Sequence, residues 1–459
     1  MARKTNFDYD LIVIGSGAAG STAALAVQKA GKKVALVEAD VFGGESPNWG
    51  DIPTKAVLHA LHLYDEARRG SRFGIRSSML GYNYPSVMQW KDKAISRTGS
   101  ANNRKYYDSV GVETFAGNAY FLSPHEISVN RKHITAQQFL IATGSHFGVP
   151  EIYGIETIQY HTPRTLLEIA RIPRSLFIVG GSSEAVEFAQ LFATFGTKVY
   201  ISERSERILP DEDSEVGEFF ESYLHDTKGI TTLTQTQITG VEKKGLGVRV
   251  SLTRGATSKS IQVDEILFMD NRTPTTDIGL ENASVTYTPA GIGVNDQLQT
   301  SAAHIYAAGT VLGDACPTHV AMLQGQIVAR NIIHKQTTKS PDTSTIPRVT
   351  FTSPGIASVG LSEDDCLRRD LHINTATAPL SMTARANVSD ANSGFVKLIS
   401  DKKGVLLGGT IIAPAAAEMI NEVSLALHHG MTASDLASTP HAFLTWSEAV
   451  RIAAVRLTK

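Results

Sequence analysis

The fold is decided by residues 9–20, which read Tyr9-Asp-Leu-Ile-Val-Ile-Gly15-Ser-Gly17-Ala-Ala-Gly20. The apolar run that ends at Gly15 predicts a buried parallel strand, and residues 16–30 have the composition of a helix. The next strand is predicted at Lys33-Val-Ala-Leu-Val-Glu38. A strand, a helix and a strand within about 30 residues form a βαβ unit, whose crossover is right-handed.

The three glycines of this unit have the spacing of a dinucleotide-binding turn. Gly15 allows the tight turn, Gly17 lets a pyrophosphate approach the backbone, and Gly20 lets the helix pack on the strand. The start of the helix offers free N–H groups and a positive dipole to the phosphates. Glu38 lies 23 residues after Gly15 and would accept hydrogen bonds from ribose hydroxyls. We therefore predict a dinucleotide site here rather than a plain βαβ core.

A second unit of the same kind starts at its own glycine turn 165 residues further on. A strand is predicted at Ser175-Leu-Phe-Ile-Val-Gly180, a helix at 184–195 and a second strand at 198–203. The turn reads Gly180-Gly181-Ser182, and the Cβ of Ser182 stands where the second glycine would be, which hinders close phosphate approach.

The acid at the end of this second unit bears on the choice of nucleotide. Glu203 would accept from a ribose and repel a 2′-phosphate, which favours NADH over NADPH. Arg204 and Arg207 lie close enough in sequence to blur that preference. We predict nicotinamide binding, and the alternative is a domain retained only for packing.

Composition and charge exclude several classes of protein. The chain has 459 residues, 42% hydrophobic and 19% charged, which is typical of a globular protein of about three domains. Its net charge of −2 and lack of a basic cluster predict no nucleic-acid partner. Two cysteines, Cys316 and Cys366, cannot form a disulfide framework. Without a signal-peptide pattern or an apolar run of about 20 residues, we expect no membrane span and a cytoplasmic location.

The chain changes character from Arg348 onward. Strands are predicted at 395–400 and 405–412, and a helix at 415–429. The polar stretch 334–345 is the best linker candidate. The charge run Asp211-Glu-Asp213 is interpreted as a solvated turn rather than a metal site, and no metal site is expected.

Six further stretches are landmarks: Gly43-Gly44-Glu-Ser46-Pro-Asn-Trp49-Gly-Asp51-Ile-Pro-Thr-Lys55, Ile141-Ala-Thr143-Gly144-Ser145, Arg272-Thr-Pro274, 300–309, Phe351-Thr-Ser-Pro354 and Val359-Gly-Leu361. With the two glycine turns, they resemble end to end the flavin-dependent pyridine nucleotide–disulfide oxidoreductases, the family of dihydrolipoamide dehydrogenase, glutathione reductase and mercuric reductase.

The resemblance implies an α/β chain with two Rossmann-like nucleotide-binding domains and a C-terminal α+β dimerisation domain. The FAD domain would comprise 1–150 and 275–345, the NAD(P) domain 151–274 and the interface domain 346–459, in a homodimer. The implied cofactors are FAD and NADH, with NADPH possible. The implied cofactor-binding residues are Gly15, Gly17, Gly20, Glu38, Gly44, Lys55, Ala119, Thr143, Gly144, Gly180, Gly181, Ser182, Glu203, Gly309, Thr310, Thr318 and His319.

The sequence departs from the family at the reacting groups. Ser46 and Asp51 stand where the family has its two redox cysteines, so no redox disulfide can form there. Phe443 stands where the family has a catalytic histidine, five residues before Glu448, and His441 remains two residues upstream. Thr310 replaces the aspartate that grips the ribityl chain, which predicts weaker FAD binding.

The flavin half-reaction is expected to survive these losses. Lys55 matches the family's lysine near flavin N5, and Glu187 matches its buried partner, so this pair would steady negative charge on reduced flavin. Asp51 would either relay a proton to an acceptor or cap a helix. His319 would either reach the flavin edge or serve as a satisfied helix-start residue.

The leading hypothesis is an FAD-dependent NAD(P)H oxidoreductase that passes electrons directly to a small acceptor such as a quinone. Loss of the disulfide and histidine would leave a pocket lined by Ser46, Trp49 and Asp51, and by His441, Phe443 and Trp446 of the partner subunit. We assign catalytic roles to Lys55, Glu187, Asp51, His441 and Glu448. Some family members without the cysteines are regarded as quinone reductases. The alternatives are a non-catalytic or NADH-sensing scaffold, an NADH oxidase, and a disulfide or mercury reductase that works through Cys316 or Cys366.

Overall fold

A computed structural model describes residues 7–76, 80–270, 272–313, 316–334 and 345–458. Contacts within the chain divide it into two units. Unit 1 comprises residues 1–56, 85–149 and 271–341, and unit 2 comprises residues 57–84, 150–270 and 342–459.

The helices of the described residues are α1 (Ala18–Lys29), α2 (Glu45–Asn48), α3 (Asp51–Arg68), α4 (Tyr84–Thr98), α5 (Arg104–Ser109), α6 (Pro163–Leu166), α7 (Ser183–Thr194), α8 (Ser214–Lys228), α9 (Thr318–His334), α10 (Glu363–Arg368), α11 (Ala384–Val388), α12 (Ala416–His428), α13 (Ala433–Ser438) and α14 (Glu448–Leu457).

The strands are β1 (Tyr9–Ile14), β2 (Val34–Glu38), β3 (Glu113–Ala116), β4 (Ala119–Ser123), β5 (Glu126–Val129), β6 (Lys132–Ile141), β7 (Ser145–Phe147), β8 (Ser175–Val179), β9 (Lys198–Ser202), β10 (Thr231–Leu233), β11 (Gln237–Lys244), β12 (Gly247–Arg254), β13 (Thr257–Val263), β14 (Glu265–Phe268), β15 (Arg272–Pro274), β16 (Tyr287–Thr288), β17 (Gly291–Ile292), β18 (Ile305–Ala307), β19 (Arg348–Thr350), β20 (Gly355–Gly360), β21 (Ile373–Pro379), β22 (Phe395–Asp401) and β23 (Leu406–Ala413).

Unit 1 is built on a seven-stranded sheet of order β3-β2-β1-β6-β5-β4, with β18 also paired to β6. Strand β1 runs parallel to β2 and β6, so the carboxyl ends of these strands lie at one edge. Helix α9 packs on α1 at Gly325, where an added Cβ would collide with the carbonyl oxygen of Ala19. Glycine is therefore needed for the two helices to approach this closely.

The described residues of unit 2 form three sheets. The parallel sheet β10-β9-β8-β14 carries the second glycine turn at its carboxyl edge. The sheet β11-β12-β13 is antiparallel. The antiparallel sheet β19-β20-β23-β22-β21 packs against α12 and α14, and its apolar core includes Val396, Ile411 and Ile420.

The predicted elements are confirmed with shifts of one or two residues at their ends. The helix expected at 16–30 is α1, and the helix expected at 415–429 is α12. The mixed α/β fold with two βαβ units and a C-terminal sheet-and-helix layer is therefore as predicted. The three sets of domain boundaries stay a proposal, and most of the predicted linker, 334–345, lies outside the described residues.

The interpretation of 211–213 as a solvated turn is wrong for two of its three residues. Asp213 is 2% exposed and Glu212 is 6% exposed. The buried ammonium of Lys397 lies 2.8 Å from Asp213, 3.1 Å from Glu215 and 2.6 Å from Glu363. The cations beside these acids come from two strands of the C-terminal sheet: Lys397 on β22 pairs with Asp213, and Arg348 Nε on β19 lies 3.5 Å from Glu212 Oε1. Partners so distant along the chain give no local signal in the sequence.

Candidate functional site

The first glycine turn lies at the carboxyl edge of the unit 1 sheet, between β1 and α1. Gly17 precedes the first residue of α1 and has no side chain to cap the helix, and the first turn of α1 carries no acidic residue. A Cβ added to Gly17 would meet open space. The N–H groups at the start of α1 therefore face an open cradle suited to phosphate groups.

Two polar side chains shape this cradle. Glu38 Oε2 accepts from the backbone N of Ser16 at 2.9 Å and from its hydroxyl at 2.6 Å. The same Ser16 hydroxyl accepts from the N–H of Gly43 at 2.9 Å, which holds the 43–44 loop against the turn. A Cβ on Gly44 would lie 2.6 Å from Gly17 Cα. Sequence reasoning found Glu38 and Gly44 but missed Ser16, whose only signal is its place between two motif glycines.

The remaining predicted FAD contacts of unit 1 occupy several elements. Gly309 donates its N–H to Gln324 Oε1 at 2.8 Å, and the hydroxyl of Thr310 lies 3.6 Å from the Cβ position of Gly144. Thr143 donates its hydroxyl to the carbonyl of Thr275 at 2.7 Å.

Two further predicted contacts are described by their place in the fold. Ala119 starts β4 and is buried, and His319 is the second residue of α9. Their contacts with a cofactor stay a prediction.

The positions of the missing cysteines form a hydrogen-bonded pair. The hydroxyl of Ser46 donates to Asp51 Oδ2 at 2.9 Å, and the hydroxyl of Thr318 donates to the same oxygen at 2.6 Å. Asp51 Oδ1 lies 3.7 Å from Lys55 Nζ, one helical turn along α3. The carboxylate therefore links the start of α3 to the start of α9, and its role as a proton relay or as a helix cap stays a prediction. Sequence reasoning placed Thr318 near the cofactor but did not foresee this contact.

The second glycine turn differs from the first at the start of its helix. The hydroxyl of Ser182 accepts from the N–H of Ala185 at 3.3 Å, so Ser182 is the N-cap of α7. Glu184 places an acid in the first turn. Both features weaken the attraction of this helix end for phosphate, because one N–H is already bonded and an anion opposes another anion.

The acid that follows β9 is held in the same way as Glu38. Glu203 Oε2 accepts from the N–H of Gly181 at 2.7 Å, and Oε1 accepts from the N–H of Ser205 at 2.7 Å. A Cβ on Gly181 would lie 2.9 Å from Glu203 Oε2, so Gly181 makes room for this carboxylate. The carboxylate is therefore fixed at the turn before any ligand binds.

A second acid beside this turn was missed by sequence reasoning. Asp270 follows β14, and its Cβ lies 3.3 Å from the Cβ position of Gly180. The pKa of Asp270 is raised, mainly by desolvation; Arg204 opposes the rise and Glu203 adds to it. Two acids at one turn disfavour a 2′-phosphate. The sequence feature that could have identified Asp270 is a charged residue just after a parallel strand.

Glu187 has a partner that the sequence did not suggest. It is 2% exposed, and its Oε1 accepts from the N–H of Phe351 at 2.7 Å. One turn further along α7, the side chain of Gln190 exchanges two hydrogen bonds with the backbone of Ser353, at 2.8 and 2.6 Å. Within unit 2, these contacts attach α7 to the segment before β20. The predicted Lys55–Glu187 pair joins residues of different units and stays a prediction.

The C-terminal candidates have separate environments. His441 is only 5% exposed at its side chain, and its Nε2 lies 3.3 Å from Glu422 Oε2. Glu448 begins α14, and its Oε2 is buried without a hydrogen-bond partner among the described residues. Burial raises the pKa of Glu422, and His441 opposes the rise. Phe443, by contrast, is 73% exposed. The expectation that His441 of the partner subunit lines an acceptor pocket stays a prediction.

The described residues form neither a metal-binding cluster nor a membrane-spanning helix. No group of three His, Cys, Asp or Glu side chains in the described part of the chain is arranged to hold a metal ion. None of the described helices has the length and apolar character needed to cross a membrane.

Comparisons with protein-family models cover most of the chain. The pyridine nucleotide-disulphide oxidoreductase model matches residues 9–325, and the model of the dimerisation domain matches residues 346–454. Mercuric reductase of Lysinibacillus sphaericus is 34% identical over 458 residues, with 98% of this chain and 83% of that protein covered. Dihydrolipoyl dehydrogenase of Thermus scotoductus is 34% identical over 457 residues, with 98% of both chains covered.

Solved protein structures also match this chain over most of its length. The HOCl-induced flavoprotein disulfide reductase RclA from Escherichia coli matches with a TM-score of 0.87 at 27% identity, over 97% of this chain and 99% of that chain. LpdA from Mycobacterium tuberculosis matches with a TM-score of 0.86 at 26% identity, with the same coverage.

Proposed function

Because the chain belongs to the pyridine nucleotide-disulphide oxidoreductase family, whose members bind FAD and NAD(P)H, we propose that this flavin-dependent oxidoreductase passes electrons directly to a small acceptor such as a quinone. In this proposal no redox disulfide takes part. NADH is the preferred donor, and the protein acts as a homodimer. The cytoplasmic location stays a prediction.

The observation that carries the proposal is the Ser46–Asp51 hydrogen bond at the position of the family's disulfide. Neither residue can accept electrons. The chain's two cysteines are both free thiols. Cys366 is fully buried, and burial raises the pKa of its thiol, with Asp365 adding to the rise, so it stays protonated and unreactive. The Cys316 thiol lies 3.9 Å from the Pro317 carbonyl oxygen and 3.9 Å from Gln324 Oε1.

The first cradle has the features that FAD requires. The open start of α1 would hold the pyrophosphate, and Glu38 would hold the ribose, since its carboxylate is already fixed by Ser16. FAD supplies the two-electron redox chemistry when it is bound. In unit 2, Gly181 and Glu203 would hold the nicotinamide nucleotide in the corresponding way.

Asp51 is the group of this chain best placed to serve the acceptor. Its Oδ2 is occupied by two hydroxyl donors, whereas Oδ1 faces the ammonium of Lys55. The side chain is 48% exposed, so Oδ1 can exchange a proton with water or with a bound acceptor. A quinone needs two protons as well as two electrons, and a fixed carboxylate at the acceptor face would relay one of them.

A second candidate function is a non-catalytic flavoprotein that senses NADH. The observation in its favour is the second glycine turn, where Ser182 occupies one N–H and Glu184 places an acid in the first turn. Such a protein would bind FAD and turn over little NADH with any acceptor. An NADH oxidase would instead yield peroxide in the absence of quinone.

The proposal is tested by measuring NADH oxidation by the FAD-loaded enzyme with four acceptors: a small benzoquinone, lipoamide, glutathione disulfide and oxygen. We expect turnover with the quinone and none with the disulfides. The matched control is the Cys316→Ser/Cys366→Ser double variant, which should keep full quinone activity. Loss of activity in this variant, or preferred turnover of a disulfide, would overturn the proposal.

A further inference from the structure

Unit 2 contains an open cavity of about 620 Å³ that none of the predicted cofactor-binding residues lines. Its wall is formed by the C-terminal part of α3 and by the ends of α7 and α8. The charged residues of the wall are Asp65, Arg68 and Arg69 from α3 and its end, and Lys228 from α8. The cavity has the size of a small-molecule site, which is typically about 300–1,000 Å³.

The charges of the wall do not balance. Three cations face one carboxylate, so the described lining has a net charge of +2. Asp65 holds two of these cations in place: its Oδ1 lies 3.0 Å from Lys228 Nζ, and its Oδ2 binds the guanidinium of Arg69. The Lys228 side chain is 7% exposed, and burial lowers the pKa of its ammonium, with Asp65 opposing the fall. A buried cation that shares its carboxylate with a second cation carries uncompensated charge.

The ordinary explanation for such cations is that they stabilise the C-terminal ends of helices. At α8, however, Gly229 and Ile230 already donate their N–H groups to the carbonyls of His225 and Leu224. At α7, Phe195 and Thr197 donate to Leu191 and Phe192. These four carbonyls already have backbone donors, so the cations are not needed as their hydrogen-bond partners.

We propose that this cavity is a binding site for a small multivalent oxyanion, a molecule with two or more phosphate or carboxylate groups. Arg68 and Arg69 present planar guanidinium groups that match the geometry of phosphate and carboxylate oxygens. Lys228 adds a point charge in the wall, and Asp65 fixes the arrangement. The site is separate from both glycine turns, so its existence does not depend on the proposed electron acceptor.

The test is calorimetric titration of the FAD-loaded protein, saturated with NAD⁺ so that both nucleotide sites are filled. One arm uses inorganic pyrophosphate and the other uses citrate, which separates phosphate from carboxylate ligands. We expect one pyrophosphate or one citrate per chain. Arg68→Ala/Arg69→Ala should weaken binding at least tenfold.

The matched control removes two arginines of unit 2 that do not line the cavity. The Arg174→Ala/Arg249→Ala variant has the same change in net charge, and its affinity should stay within twofold of the wild type. Two results would overturn the proposal: no binding of either anion at millimolar concentration, or an equal loss in the control variant. The melting temperature of each variant shows whether it is folded. If the double variant is unfolded, Arg68→Ala replaces it, and this single substitution should weaken binding severalfold.

Discussion

Removal of the Glu203 carboxylate should selectively weaken NADH binding. Each of its oxygens already accepts one backbone N–H, from Gly181 and Ser205, both at 2.7 Å. A carboxylate oxygen can accept more than one hydrogen bond, so each has capacity left for a ribose hydroxyl. A hydrogen bond to a charged group contributes about 1.5–3 kcal/mol, which corresponds to roughly 10- to 150-fold in affinity.

Glu203→Ala should therefore raise the dissociation constant for NADH by about 10- to 150-fold. The affinity for NADPH should stay equal or rise, because the variant also removes the repulsion of the 2′-phosphate. Equilibrium titration of the FAD-loaded protein with both nucleotides measures the two constants. Glu206→Ala is the matched control, since Glu206 is an exposed acid in the same loop. The reasoning is refuted if NADH affinity changes less than threefold in Glu203→Ala, or equally in Glu206→Ala.

Three further predictions concern single side chains. Lys55→Ala should slow flavin reduction by NADH about tenfold with FAD still bound, which corresponds to roughly 1.4 kcal/mol of lost charge stabilisation. The control Lys55→Arg keeps the positive charge and should keep most of the rate. Rapid-mixing absorbance measures both rates, and an unchanged rate in Lys55→Ala removes Lys55 from the mechanism. Ser182→Gly frees the N–H of Ala185 and should tighten NADH binding severalfold. The loss of the helix cap should lower the free energy of unfolding by only a few tenths of a kcal/mol. Weaker NADH binding in an equilibrium titration would contradict this prediction. Burial raises the pKa of Glu212 above its ordinary value of 4.5, so the folded state binds more protons than the unfolded chain, and stability falls as the pH rises above about 4.5. The melting temperature of Glu212→Gln should therefore fall less than that of the wild type up to pH 7.5. Parallel curves of melting temperature against pH for the two proteins would contradict the raised pKa of Glu212.

Local patterns were sufficient to predict both glycine turns from the sequence. The turn, the helix and the acid of each βαβ unit lie within about 30 residues, so short-range spacing determines them. Glu38 and Glu203 are found where the pattern predicts, at the carboxyl edges of their sheets. Ser182 looked like a defect in a phosphate-binding motif, but it is an N-cap, a local role that its residue type also permits.

Contacts between distant parts of the chain could not be predicted in the same way. Thr318 bonds to Asp51 across 267 positions, and Phe351 bonds to Glu187 across 164. The spacing around His441 likewise gave no sign of Glu422, which lies on α12 and whose Oε2 is 3.3 Å from His441 Nε2. The direction of a side chain depends on packing between elements, which a spacing pattern does not contain.

The most direct test of electron transfer without a disulfide is an anaerobic titration of the FAD-loaded protein with NADH, followed by addition of a quinone. We predict that one NADH per flavin bleaches the spectrum without a long-wavelength thiolate band, and that the quinone rapidly restores the colour. A requirement for two NADH per flavin, or the appearance of a thiolate band, would show a second redox centre and contradict the proposed function. A bound flavin that NADH cannot bleach would favour the non-catalytic alternative.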